Sequence, residues 1–313
     1  MMGRKMLTAC ICFRNEDEEV AETVRSVMET TRHTKVLLVD DCSDDGYDYR
    51  AVADKWGCDY KRMDKRCGSV GAQDWAGRNA ASEYFVLLDG HMRFYDMDWD
   101  LRLMGLLDKY PKSIISSRTV YRSAKEGKVM YDGVPLSFCA YVRFDDGFDF
   151  EPKWTDRVLN YNDEDKTSDV ACVLGACYAT SKSWLSYIGG LSGLTTYGLE
   201  ESLMSIKTWL CGGCCKVTHD WGVGHLYREY SPNYIDTSVI DANRLALAYL
   251  FDASPTLMSC NLYERLGIFG FGAAMNTFSD KFGELQEIKR KFDDRKIHDI
   301  NLFKTTINNQ VMQ

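Results

Sequence analysis

Over residues 7–91 the chain switches repeatedly between short apolar runs and stretches with helical spacing. Residues 7–13 form a run of small and β-favouring residues suited to a buried strand, and residues 17–29 carry Val20, Val24, Val27 and Met28 at the spacing of one helical face. The same pattern predicts a strand at 35–39, a helix at 47–56, a short strand at 59–63, a helix at 72–81 and a strand at 84–88. Strand, helix and strand in this order imply a parallel sheet with right-handed crossovers. Ligands gather at the carboxyl ends of the strands in such sheets. Asp40-Asp41 and Asp89-Gly90-His91 both fall at that edge.

The regular alternation stops over residues 120–154, which are read as a long loop. Its aromatics Tyr141, Phe144, Phe148, Phe150 and Trp154 are read as packing beneath that loop, with stacking on a sugar ring as the alternative. A small-residue strand follows at 173–178, then a helix at 181–188 and a turn at Gly189-Gly190. Tyr197-Gly198-Leu199-Glu200-Glu201 opens a helix with an apolar stripe at Leu199, Leu203, Ile206 and Leu210. Two more helices are predicted at 236–251 and 278–290. Residues 1–235 are thus read as one domain and 236–313 as a helical extension, a cap packed on the same domain or an oligomer contact.

The composition, 45% hydrophobic over 313 residues, supports a sizeable core. A net charge of -8 argues against nonspecific attraction to nucleic acid or an anionic membrane as the main binding energy. Lys61-Arg62, Lys65-Arg66 and Lys289-Arg290-Lys291 are read as solvated faces. With no export pattern and no run approaching the roughly 20 apolar residues of a membrane span, the expected location is cytoplasmic and the cysteines are expected to be thiols. Cys211-Gly212-Gly213-Cys214-Cys215, near His219, is read as a helix end rather than a zinc site.

Asp89 and His91 are two apart in an extended segment, so both side chains leave the strand end on one side and can grip one cation. The competing reading is a turn in which Asp89 caps a backbone amide. Asp41, Ser43, Asp45 and Gly46 mimic the opening of a calcium-binding loop, but its twelfth position is Val52 rather than a glutamate. A strand-end carboxylate can instead accept a nucleobase ring N–H. Glu200 and Glu201 suit a helix's first turn on dipole grounds, against which a catalytic carboxylate is weighed. Val223-Gly224-His225-Leu226-Tyr227-Arg228 offers a second imidazole and an arginine able to hold a phosphate.

These segments carry a resemblance. Ile11-Cys12-Phe13-Arg14-Asn15-Glu16, Leu38-Val39-Asp40-Asp41-Cys42-Ser43, Arg66-Cys67-Gly68, Leu88-Asp89-Gly90-His91, Tyr197-Gly198-Leu199-Glu200, Trp209-Leu210-Cys211-Gly212-Gly213 and residues 223–228 fall in the order seen in polypeptide N-acetylgalactosaminyltransferases. The chain resembles their catalytic domain, a GT-A-type glycosyltransferase, over residues 6–235. The resemblance implies an α/β GT-A fold, Rossmann-like in its nucleotide-binding half and with a mixed central sheet, and transfer of a sugar from a UDP-sugar to an acceptor hydroxyl. It implies a cation, Mn2+ with Mg2+ as the alternative, on Asp89, His91 and His225. Asp41 would read the uracil, Cys12 and Arg14 would line the base pocket, Gly90 and Tyr197 would lie beside the donor, and Arg66 and Arg228 would assist the diphosphate or sugar. Tyr234 would belong to a loop closing over the donor.

The chain departs from that pattern at Cys12, Arg14, Tyr197 and Leu199, where the family has Thr, His, Trp and Gly. Glu201 stands in place of an Asn. Retention is expected by analogy, with inversion through Glu201 as base the alternative. The acceptor is left open among a protein hydroxyl, a glycan and a hydroxymethylated nucleic-acid base. A noncatalytic sugar-nucleotide-binding protein is the remaining alternative.

Overall fold

A computed structural model describes residues 5–125, 128–137, 139–144, 150–228, 233–234 and 236–312. Its first half follows the alternation of strand and helix closely. Strands β1 (Leu7–Phe13), β2 (Thr34–Asp40), β3 (Asp59–Arg62) and β4 (Tyr84–Asp89) are parallel in the order β3-β2-β1-β4, with helices α1 (Glu18–Thr30), α2 (Tyr49–Trp56) and α3 (Gly68–Asn79) as crossovers. Every residue of β1 is buried, which is why its sequence shows no polar alternation. Helix α3 begins at Gly68 rather than at residue 72. Asp41 accepts the backbone N–H of Cys67 at 2.7 Å and of Gly68 at 2.8 Å, and so satisfies free donors at that helix end.

The second half is mixed. It contains β5 (Met92–Phe94), α4 (Trp99–Lys109), β6 (Ser113–Lys125), β7 (Lys128–Ser137), β8 (Cys139–Val142), β9 (Pro152–Thr155), β10 (Leu159–Asn162), β11 (Thr167–Asp169) and β12 (Cys177–Ser181). Helices α5 (Lys182–Ile188) and α6 (Glu200–Leu210) lead to β13 (Cys214–Tyr227), then α7 (Thr237–Leu250), α8 (Pro255–Asp280) and α9 (Phe282–Asp293). Strand β12 runs antiparallel between β4 and β6, and β13 lies parallel to β6 and antiparallel to β5 and β11.

Several expectations are corrected. The region 120–154 is not a long loop: it holds the end of β6 together with β7, β8 and β9, although Phe148 lies outside the described residues. Phe144 and Phe150 are buried there, Tyr141 is half-buried and Trp154 is exposed. The strand predicted at 173–178 starts only at Cys177, where pairing with Leu88 of β4 begins. Helix α4 and most of α8, whose helical path is broken at Gly267, are additions to the elements that the hydrophobic pattern predicts.

Residues of the extension enter one core with the catalytic half. Leu245, Leu250, Phe292 and Phe303 share a buried cluster with Leu203, Ile206 and Phe85. The cysteines are free thiols. Among the described residues no helix is long and apolar enough to cross a membrane.

Candidate active site

Register places the candidate chemistry. Cys12 of β1 pairs with Asp89 of β4, and Phe13 with Asp40 of β2, so these strand ends open on one edge. His225 of β13 pairs with Met92 of β5, which brings its imidazole beside His91. Asp89, His91 and His225 thereby offer ligand atoms that all lie within 4.8 Å of one another. The two Nε2 atoms are 3.0 Å apart, and His225 Nε2 is 3.4 Å from Asp89 Oδ2. Adjacent ligands on a cation with bonds of about 2.1 Å stand about 3 Å apart, so the spacing fits a divalent ion.

The protonation pattern agrees with that fit. His91 Nδ1 lies 2.9 Å from Glu16 Oε2, a pairing that puts the ring proton on Nδ1 and leaves the Nε2 lone pair facing His225. Burial lowers the pKa of His225 despite its hydrogen bond to Asp89, which favours the neutral imidazole; ligation through Nε2 would replace that hydrogen bond and put the ring proton on Nδ1. Burial pushes Asp89 up, but the hydrogen bond from His225 and the two nearby imidazoles outweigh it and hold the carboxyl below its ordinary value. Glu16 also receives Arg228 at 2.7 Å, so one buried carboxylate joins the imidazole pair to an arginine. Glu16 stands at the end of a motif, yet nothing near it in the sequence assigns it this role. The missing signal is Arg228, which reaches the same carboxylate from the end of β13.

A cleft of about 640 Å³ opens at this edge. Asp89, His91, His225, Cys12, Arg14, Asp41, Arg66, Gly90, Tyr197, Arg228 and Tyr234 all line it. Both Asp41 oxygens already accept backbone N–H groups from the start of α3, so a nucleobase would meet only their remaining lone pairs. Asp40 is wholly buried and holds Arg62 at 2.6 Å and the Tyr60 hydroxyl at 2.8 Å, which makes it a structural neighbour of the cleft. Arg14 donates to Asn233 Oδ1 at 3.1 Å and to Asp44 at 2.9 Å, and Arg66 donates to the Tyr234 carbonyl at 3.1 Å. The two arginines therefore hold the segment carrying Tyr234 against the cleft. Ser231-Pro232, just before it, lie outside the described residues.

Glu200 and Glu201 are not among the residues lining the cleft. Ser69, which does line it, donates to Glu200 Oε1 at 2.6 Å. Burial raises the Glu200 pKa, and burial followed by the adjacent Glu200 charge pushes Glu201 up to about 7. Cys211, Cys214, Cys215 and His219 do not form a metal cluster among the described residues; the group able to hold an ion is Asp89, His91 and His225.

Comparison with known proteins supplies the context. Residues 8–133 match the family model for glycosyl transferase family 2. The chain is 27% identical over 278 residues to polypeptide N-acetylgalactosaminyltransferase 5 of Caenorhabditis elegans, an alignment covering 83% of this chain and 44% of that protein. The resemblance carried by the motifs is thereby borne out. The chain spans less than half the length of that relative. The crystal structure of GalNAc-T7 with UDP, GalNAc and Mn2+ superposes with a TM-score of 0.76 at 18% identity, covering 98% of this chain and 58% of the other. S. aureus TarS 1–349 in complex with UDP-GlcNAc gives a TM-score of 0.53 at 13% identity, with 93% and 89% covered. The fold is GT-A-like, a mixed sheet flanked by helices.

Proposed function

We propose that the chain is a metal-dependent glycosyltransferase that moves a sugar from a UDP-sugar to an acceptor hydroxyl. The observation that carries this reading is the convergence of Asp89, His91 and His225 at the nucleotide-binding edge of a GT-A-like sheet. A divalent cation held there would supply positive charge to the diphosphate leaving group. The mixed carboxylate and imidazole donors favour Mn2+ over Mg2+, which prefers oxygen and water. That the GalNAc-T7 structure contains Mn2+ and UDP supports the same choice.

The chain's own groups divide the remaining work. Glu16 fixes the His91 ring and, through Arg228, keeps a guanidinium beside the site of leaving-group charge. Arg66 and Arg14 hold the Tyr234 segment at the donor side of the cleft. Cys12, Asp41, Gly90 and Tyr197 line the cleft, which supports assigning the first two to the base and the last two to the rest of the donor.

Retention is the stereochemical outcome we favour. A base for inversion must touch the acceptor hydroxyl. The Glu201 carboxyl lies off the cleft wall and so close to Gly175 that a Cβ on that glycine would meet Glu201 Oε1 at 2.7 Å. For the acceptor, the names of the relatives favour a polypeptide hydroxyl. A nucleic-acid acceptor has no support in the chain's charge of -8.

Release of free UDP from a panel of UDP-sugars, with Mn2+ present or chelated, tests the reading. Mn2+-dependent hydrolysis of one donor is expected, and His225→Ala should reduce it by more than about 100-fold. Full activity of that variant would refute the ligand set. Donor binding without turnover would favour the noncatalytic alternative.

A further inference from the structure

The cleft wall carrying Tyr197 has no regular structure of its own between residues 195 and 198. Its backbone polar groups need partners from elsewhere. One buried side chain bonds four of them. Asn243 of α7 is fully buried, and its Oδ1 accepts the Thr195 backbone N–H at 2.7 Å and the Thr195 hydroxyl at 2.8 Å. Its Nδ2 donates to the carbonyls of Thr195 at 3.1 Å, Tyr197 at 2.9 Å and Gly198 at 3.1 Å. On the opposite side the Thr196 carbonyl accepts the Val70 backbone N–H of α3 at 3.1 Å. Ile240, one helical turn before Asn243, packs so closely on Gly198 that a Cβ there would meet it at 3.2 Å.

We propose that Asn243 is a positioning residue, through which the C-terminal extension sets the place of Tyr197 in the donor cleft. A buried amide that commits all its capacity to one short segment fixes that segment's path. Tyr197 itself is 43% exposed, so its ring is only partly held by packing of its own. The position of the ring therefore depends in part on the backbone that Asn243 clamps.

Asn308 provides a matched control. It is equally buried and also lies in the extension, but it bonds the Val142 backbone instead, accepting at 2.8 Å and donating at 2.7 Å. Neither Asn308 nor Val142 lines the cleft.

The experiment compares the wild-type chain with Asn243→Ala and Asn308→Ala by amide hydrogen exchange and by calorimetric titration of UDP with Mn2+ present. Exchange at residues 195–198 should rise in Asn243→Ala and stay at the wild-type level in Asn308→Ala. UDP affinity should fall about tenfold in Asn243→Ala and stay within about twofold in Asn308→Ala. In a Tyr197→Ala background, adding Asn243→Ala should weaken UDP by no more than about twofold, because the two changes remove one effect. The affinity measurements rest on the UDP-sugar reading, whereas the exchange measurement does not. A wild type that fails to bind UDP sinks that reading and leaves exchange to decide the role of Asn243. Unchanged exchange at residues 195–198, equal affinity losses in both alanine variants, or losses that multiply in the double variant would each overturn the proposal. If Asn243→Ala does not fold, Asn243→Asp serves in its place, since it keeps the acceptor contacts to Thr195 and loses the three donated ones.

Discussion

Glu16 is buried and Glu201 half-buried, and their surroundings differ sharply. Glu16 accepts the His91 ring N–H at 2.9 Å and pairs with the Arg228 guanidinium at 2.7 Å. Burial leads the forces that push Glu201 up to about 7, and the adjacent Glu200 carboxyl follows. This predicts a pH-dependent cost. An unfolded Glu loses its proton near 4.5 and the folded Glu201 near 7, so the native state binds more protons between those values. Stability contributed by the protonated carboxyl is complete below 4.5 and lost as pH rises through 7. Glu201→Gln should remove that slope. It should match the wild type in stability at about pH 4 and exceed it at about pH 8 by on the order of 2 kcal/mol, read from urea midpoints at both values. A variant no more stable at the higher pH would place a compensating cation beside Glu201.

Helix α6 starts at a point of local conflict. Leu199, its N-terminal cap, has φ +72°, a left-handed conformation that costs a branched residue about 1–2 kcal/mol relative to glycine. It is nevertheless only 5% exposed and belongs to the main core cluster. Deleting a buried leucine side chain costs about 2–5 kcal/mol, so packing outweighs strain. Leu199→Gly, which restores the residue expected from the resemblance, should therefore destabilise the protein by about 2 kcal/mol net, measured as a lowered urea midpoint with an unchanged slope. A stabilised variant would mean that the left-handed backbone dominates. The same competition between local and distant forces decides which elements are legible in the sequence. Strands β1, β2 and β4 with helices α1 and α2 are readable because each is patterned by its own burial, as in the wholly buried β1. Strand β6 is not, because Ser113, Ser116, Ser117 and Arg118 break the apolar pattern, and the strand is held by pairing with β13, far along the chain. The strand predicted at 173–178 fails for the converse reason: small apolar residues are buried there without strand pairing until Cys177. At the site, the spacing of Asp89 and His91 is visible locally, whereas the clamp from Asn243 depends on a helix docking across the molecule.

At the scale of the molecule the division into residues 1–235 and 236–313 marks a change of pattern along the chain and does not mark a change of core. Leu245, Leu247 and Leu250 of α7, Leu262 of α8, Phe292 of α9 and Phe303 beyond it are buried in the cluster that holds Leu203, Ile206 and Leu210 of α6 and Phe85 of β4. Polar ties follow the same route, since Asn243 clamps the segment before α6 and Asn308 both donates to and accepts from Val142 of β8. Removing the extension would expose several large apolar side chains of the remaining half, each contributing about 1.5–3 kcal/mol when buried. Such a loss is comparable to the roughly 5–15 kcal/mol that separates a typical folded domain from its unfolded state. The full chain should therefore unfold in one calorimetric transition, with the calorimetric and van't Hoff enthalpies equal. A chain ending at residue 235 should show no cooperative transition, and it should retain no Mn2+-dependent binding of UDP. Two separable transitions in the full chain, or a cooperatively folded 1–235 fragment that binds UDP, would make the extension an appended unit, and the cleft wall would then have to be held from within the catalytic half alone.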